Sequence, residues 1–143
     1  MPLIRETVEI KAPPDAVFDL ISKVSDFALY TGIVKEVKLI AASTYRWTVR
    51  VGGITLDWDA MVTECERPKR FVWHSISGIE NRGEYALQAT PEGTQVAFSM
   101  NYRLSNPLLE AAVAPLAEPL IRHVSTEILS AVKARLECCE GDT

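Results

Sequence analysis

The sequence has few residues of the kinds that build cross-links, metal centres or nucleotide sites. Its 143 residues include only three cysteines, Cys65, Cys138 and Cys139, and two histidines, His74 and His123. An odd cysteine count with two adjacent gives no disulfide framework, and two isolated histidines lack metal-ligand spacing. No phosphate loop, dinucleotide fingerprint or Ser-His-Asp pattern occurs. We therefore expect no metal, no cofactor and a cytoplasmic location.

Long apolar runs and an excess of basic residues are also missing. The formal net charge is −4, and the densest basic stretch, Arg67-Pro68-Lys69-Arg70, is typical of a turn, so nucleic acid is not an expected partner. Two glutamates and two prolines interrupt the most apolar region, residues 107–121, which excludes a membrane span there. The first residues show no basic segment followed by an apolar one, so we expect no signal peptide.

Alternation of apolar and polar residues dominates the first two thirds of the chain. Period two predicts strands with one buried and one wet face, and Gly52-Gly53 is a two-residue hairpin signal. The predicted strands cover residues 3–11, 34–42, 44–51, 54–66, 71–78, 83–89 and 95–104. This pattern predicts a meander of six strands joined by a seventh from the N-terminus.

Helical spacing appears in three other segments. Two short helices are predicted after the first strand, one over residues 15–21 and one from Ser25 to near Gly32. A long one starts at Asn106-Pro107, with Asn106 as N-cap, and runs about 45 Å to Glu137. Pro115 and Pro119 should bend it or split off its first turns. Residues 138–143 are predicted to be a polar tail of one domain spanning residues 1–143.

The order of these elements predicts an α+β fold with an internal cavity. A long sheet with one apolar face twists and curls, and only the last helix can cover it. Because the inner wall is rich in aromatic residues, we expect an apolar pocket with few polar anchors. The strand positions predicted to line it are Trp47, Trp58, Phe71, Trp73, Tyr85, Phe98, Met100 and Tyr102, and the helix positions are Leu116, Leu120 and His123.

The same order resembles the START-like (SRPBCC) superfamily of polyketide cyclase/dehydrase and lipid-transport proteins. The similarity covers nearly the whole chain, and within the superfamily the chain looks most like bacterial cyclase/dehydrase and coenzyme Q-binding-like members. Its markers are Ile10-Lys11-Ala12-Pro13-Pro14-Asp15-Ala16-Val17-Phe18-Asp19-Leu20-Ile21, Trp58-Asp59-Ala60, Arg67-Pro68, Trp73, Gly83 and Gly93-Thr94-Gln95-Val96. The resemblance implies a helix-grip fold, a curved seven-stranded antiparallel sheet around a long C-terminal helix. It also implies binding of a lipid, polyketide, quinone or sterol-like molecule, and transfers no catalytic residue.

Several polar residues have competing interpretations. Tyr85, Tyr102 or His123 could transfer protons, although buried tyrosines are equally typical of a core and His123 is typical of a helix edge. Alternation places His74 and Cys65 on the wet face and Glu64 at an inward position, either at the cavity rim or in solvent. Asp57 and Asp59 are predicted to pair across strands with Arg46 and Arg50, which also have outward positions.

Three functions are therefore compatible with the sequence. The first is binding or transport of a hydrophobic small molecule without catalysis. The second is a cyclase/dehydrase that folds a reactive chain by cavity shape. The third is an interaction or regulatory protein, for instance a homodimer formed through the edge strand or the last helix. The lack of a convergent catalytic group favours the first.

Overall fold

In the part of the chain that the structure describes, the fold is built from seven strands, two α-helices and one 3₁₀ helix. The computed structural model describes residues 3–51, 53–103 and 107–141, without the side chains of residues 51, 54, 107, 109–114, 116 and 138–141. The strands are β1 (Leu3–Ile10), β2 (Val34–Ala41), β3 (Thr44–Val51), β4 (Ile54–Glu66), β5 (Arg70–Gly78), β6 (Glu80–Thr90) and β7 (Gly93–Arg103). The helices are α1 (Pro14–Ile21), the 3₁₀ helix (Val24–Leu29) and α2 (Pro107–Gly141).

The strands form one antiparallel sheet in the order β1-β7-β6-β5-β4-β3-β2. Strands β2 to β7 are a continuous meander, and β1 adds beside β7. This confirms the predicted α+β helix-grip architecture with two short helices after the first strand. The second of these is a 3₁₀ helix rather than an α-helix.

One sheet face, here called the inner face, carries the core. Residues opposite each other in the register point to the same side, and the pairs Tyr85–Phe98 and Phe71–Tyr85 define that side. The helices cover it with Val17, Phe18, Ile21, Ile128, Leu129 and Val132, which pack on Ile10, Phe71, Tyr85, Leu87, Val96 and Phe98. Each such side chain contributes about 1.5–3 kcal/mol on burial, so this end of the sheet and α2 form one packed unit.

Polar contacts fasten the second half of α2 to β1. The Arg122 guanidinium lies 3.0 Å from the Glu6 carboxylate, and Lys133 donates to the Glu9 carbonyl at 2.8 Å. Further along, the Glu137 carboxylate accepts a hydrogen bond of 3.0 Å from the backbone N–H of Lys11, the residue after β1. These contacts set the position of α2 over the sheet from Arg122 onward.

Helix α2 differs from its prediction in two respects. It runs as one helix from Pro107 to Gly141 with Pro115 and Pro119 inside it, so the prolines do not divide it. Residues 138–141, predicted to be tail, continue the helix. The predicted N-cap at Asn106 and the last two residues lie outside the described part of the chain.

A β-bulge reverses the predicted sides of two residues near the end of β4. The register shifts between Val62 and Glu64, so Glu64 lies opposite Val72 and Cys65 opposite Phe71. A bulge adds one residue to its strand and thereby moves the following side chains to the other face. Glu64 therefore lies on the outer face, 3.0 Å from Arg70, and Cys65 lies on the inner side at an exposed strand end.

Candidate functional site

The inner face is divided into a closed end and a less covered end. At the closed end Phe71, Tyr85 and Phe98 are buried against the helices. At the other end Trp47 and Trp58 are only partly buried, although the register directs both toward the helix side. This second end, here called the tryptophan end, also includes Trp73, Met100 and the 40% exposed Leu56. Partly exposed aromatic residues on a core-facing surface indicate apolar area available to a ligand.

Aromatic contacts hold the tryptophans of this end in fixed orientations. The Trp47 and Trp58 rings are stacked with centroids 5.9 Å apart and planes 7° apart, and Trp47 also contacts Phe27 edge-on at 5.7 Å. Such pairs each contribute about 0.5–1.5 kcal/mol beyond area burial. The Trp47 and Trp58 rings therefore support each other, and Phe27 of the 3₁₀ helix supports Trp47.

Trp73 links the two ends of the inner face. Its ring lies 5.5 Å from that of Tyr85 and 6.3 Å from that of Phe98. It also lies over Gly83, the residue opposite it in the register, where a Cβ atom would overlap the indole. Only glycine leaves room for this ring, so Gly83 determines where the Trp73 indole lies.

A small polar group closes the inner face beyond Gly83. Asn81 is 2% exposed and lies opposite Tyr102 in the register. Its backbone N–H donates to Ser75 Oγ at 2.9 Å, and its side-chain Nδ2 donates to the Ile79 carbonyl at 2.9 Å. Among the described residues, none donates to Asn81 Oδ1, which is buried. A buried acceptor without a donor costs about 1–3 kcal/mol.

A second buried polar atom lies on the helix side. Ser125 is 3% exposed within the stripe of α2 formed by Ile121, Ile128 and Leu129, and its hydroxyl has no hydrogen-bond partner among the described residues. Orphaned polar groups in a core are uncommon. Asn81 and Ser125 therefore each bring a polar atom that no described residue satisfies into this largely apolar interior.

The predicted lining residues are only partly brought together. The strand residues all lie on the inner face, with Phe71, Tyr85, Phe98 and Tyr102 buried. On α2, Leu120 is partly exposed and the Leu116 side chain lies outside the described part. The His123 imidazole is 61% exposed and lies 3.3 Å from Glu127, so its observed position is the outer side of α2.

Asn81, Ser75 and Ser125 were not among the predicted site residues. Asn81 falls in a polar stretch between Gly78 and Gly83 that is typical of a turn, yet β6 already begins at Glu80. The signal that could have found it is parity, because Asn81 precedes Gly83 and Tyr85 at intervals of two.

Electrostatics separate the two sheet faces. Outward-facing Arg46 and Asp59 form a two-point pair at 2.9 and 3.2 Å, which confirms one part of the cross-strand prediction. The register places Asp57 opposite Thr48 and Arg50 opposite Thr55 instead, and His74 lies on the same outer face. On the inner face, burial raises the pKa of the Tyr85 phenol well above its ordinary value.

The described residues contain no group of three or more potential metal ligands. No helix among them is long and apolar enough to cross a membrane.

The sequence profile of the family "Polyketide cyclase / dehydrase and lipid transport" matches residues 1–137. The chain belongs to this family. No curated protein matches it. This assignment agrees with the helix-grip architecture and with an inner face lined by aromatic residues.

Solved structures show the same START-like fold. A Thermus thermophilus protein is 21% identical over 96% of this chain and 99% of its own, with a TM-score of 0.81. The Zhui aromatase/cyclase from a Streptomyces species is 17% identical, covering 95% and 93%, with a TM-score of 0.78. A START superfamily protein from Mycobacterium smegmatis is 15% identical, covering 96% and 98%, at 0.74. At these identities the likeness concerns the fold.

Proposed function

We propose that this protein binds or carries a hydrophobic small molecule, a lipid, polyketide or quinone-like compound, between the inner face and α2. The observation that supports this most is the tryptophan end. All three tryptophans of the chain, Trp47, Trp58 and Trp73, face inward and stay partly uncovered while the closed end is fully packed.

Apolar burial supplies the affinity. Each Å² of apolar surface removed from water contributes about 25 cal/mol, and ordering costs offset part of that gain. Because the Trp47–Trp58 stack is already formed, the wall loses little freedom when a ligand covers it. A preformed aromatic wall therefore suits a ligand that is itself flat or chain-like and apolar.

Catalysis is a weaker alternative for the same interior. Proton transfer near neutral pH requires a group whose pKa lies near that value. Burial moves the pKa of Tyr85 further from it, and His123 lies on the outer side of α2. The fold is shared with an aromatase/cyclase, so an enzymatic role for this chain is tested by Tyr102→Phe, which should impair turnover of a true substrate.

Association through the edge strand is a separate prediction. Leu39 and Ile40 of β2 are exposed at the sheet edge beside the charged Lys38. Charged residues on an edge strand oppose pairing with another chain. Size-exclusion chromatography with light scattering distinguishes a monomer from the homodimer that an interaction role would require.

A matched pair of charge substitutions on β7 tests the binding proposal. Met100 lies on the inner face and Ser99, its neighbour, on the outer face. A charge at Met100 would have to be desolvated by a bound ligand, so M100K should weaken binding of the neutral dye Nile red at least about tenfold. S99K should change it less than about twofold. Unaltered binding by folded M100K would contradict this location.

A further inference from the structure

The acceptor and donor positions around Asn81 restrict what a ligand can present there. The Ile79 carbonyl accepts from Asn81 Nδ2, which fixes the orientation of the amide, since the flipped amide would set two oxygens against each other. The remaining atom, Oδ1, then offers only an acceptor. It lies on the inner face, because Asn81 shares its side with Tyr85 two intervals along β6.

Ser75 supplies the complementary atom. Its Oγ accepts from the Asn81 backbone N–H at 2.9 Å, so its own hydrogen remains to be donated elsewhere. Ser75 lies opposite Ala60, a buried inner-face residue. The Ser75 hydroxyl touches the Asn81 backbone, and both residues belong to the inner face, so together they offer a donor and an acceptor to a group that both donates and accepts.

A charged head group is poorly suited to this place. The described inner-face positions of β3 to β7 hold no lysine or arginine. The Arg122 guanidinium, at the β1 side, is occupied by Glu6 and Glu118. A carboxylate beside Asn81 Oδ1 would place an anion against an acceptor without a counter-charge, which is costly in an apolar interior.

We infer that the ligand carries a hydroxyl group, phenolic or alcoholic, that donates to Asn81 Oδ1 and accepts from Ser75 Oγ. This deepens the proposed function and rests on it. Quinones and ethers can only accept, and fatty acids bring a charge, so the site favours hydroxylated aromatic or alicyclic compounds. Because Oδ1 is buried, the hydroxyl reaches it by displacing the side chains that cover it.

Isothermal titration calorimetry with three related probes tests this. We expect 2-naphthol to bind about 5- to 10-fold more tightly than both naphthalene and 2-methoxynaphthalene, as one added neutral hydrogen bond allows. Naphthalene is smaller than 2-naphthol and 2-methoxynaphthalene is larger, so the two comparisons together control for the size of the probe. In N81L the preference should vanish. In N101L it should persist, because Asn101 lies on the outer face of β7 opposite Arg82.

Each result decides the matter. Equal affinities of wild-type protein for the three probes overturn the hydroxyl inference but leave apolar binding in place. A preference that survives in N81L overturns the role of Asn81. Binding of none of the probes overturns the proposed function itself. If N81L does not fold, nitrogen-15 spectra of wild-type protein decide, since the Asn81 side-chain amide should shift with 2-naphthol and not with naphthalene.

Discussion

The indole of Trp73 lies over Gly83 on the neighbouring strand, in the space that a side chain at Gly83 would fill. This contact lies where the tryptophan end of the inner face meets the closed end. In this position the Trp73 ring stacks on the Phe98 ring with an interplanar angle of 25°. The position of the central wall residue thus depends on the absence of a side chain one strand away.

Replacing Gly83 with alanine should displace the Trp73 ring. Overpacking of this kind costs about 1–3 kcal/mol, so the free energy of unfolding of G83A in urea should fall by about that amount. Tryptophan emission should change as well. Gly32→Ala is the matched control, because no atom lies within 4 Å of a Cβ at Gly32. A G83A protein as stable as G32A would contradict the contact.

Replacing Ser125 with alanine should stabilise the ligand-free protein. The change removes a buried hydroxyl that no described residue satisfies, and alanine is the better helix former. We expect a gain of about 1 kcal/mol in the free energy of unfolding, measured by urea denaturation. Ser130→Ala, at an exposed position of α2, measures the contribution of helix propensity alone to the free energy of unfolding. Destabilisation of S125A would show that the hydroxyl has a partner.

The pair of Asp19 and Arg67 should contribute to acid sensitivity. The Arg67 guanidinium bonds both carboxylate oxygens, at 2.9 and 3.0 Å, and holds the pKa of Asp19 below its ordinary value of 3.8. A lowered folded-state pKa gives stability that is present above the unfolded value and lost as the pH falls through the folded one.

D19N should therefore be less stable than wild type at pH 7. The difference should close well below pH 3.8, where the protonated carboxyl of wild type and the amide of the variant are both uncharged. Urea midpoints at the two pH values measure this. Asp26→Asn on the 3₁₀ helix serves as the control. A difference that stays constant with pH would mean that the ion pair is not its source.

The two prolines of α2 should make its first turns easier to open. Each lacks an N–H and so removes one i→i−4 hydrogen bond from the helix, at Pro115 and Pro119. The double variant P115A/P119A should raise the free energy of unfolding by at least about 1 kcal/mol and slow Nile red uptake in stopped-flow fluorescence. This expectation assumes that Nile red enters where these turns open, and faster uptake by the double variant would contradict that route.

The sequence predicted the sheet well because its signal is local. Alternation from Thr44 to Val51 and from Ile54 to Val62 specifies which side chains share a face, and these strands have the predicted bounds. The β4 bulge could not be predicted from the alternation. Thr63 and Glu64 are both polar, so the sequence does not reveal which of them is the inserted residue. Parity beyond it was therefore wrong.

The candidate site was harder to predict than the fold. The predicted stripe on α2 joined residues four apart, and each such step turns by about 40° around the helix axis. The lining was therefore expected at Leu120 and His123. The observed inward positions include Ile121 and Ser125 instead. Asn81 was missed because its environment depends on the register between β6 and β7, a long-range property that the turn-like residues around it conceal.

The central claim is that the interior holds a hydrophobic small molecule. Native mass spectrometry of the protein, purified gently from its own host and offered a total lipid extract of that host, tests it most directly. We predict a discrete mass excess that organic solvent extracts as one class of apolar compound, reduced in M100K and retained in S99K. The bare polypeptide mass in all three proteins would contradict the account.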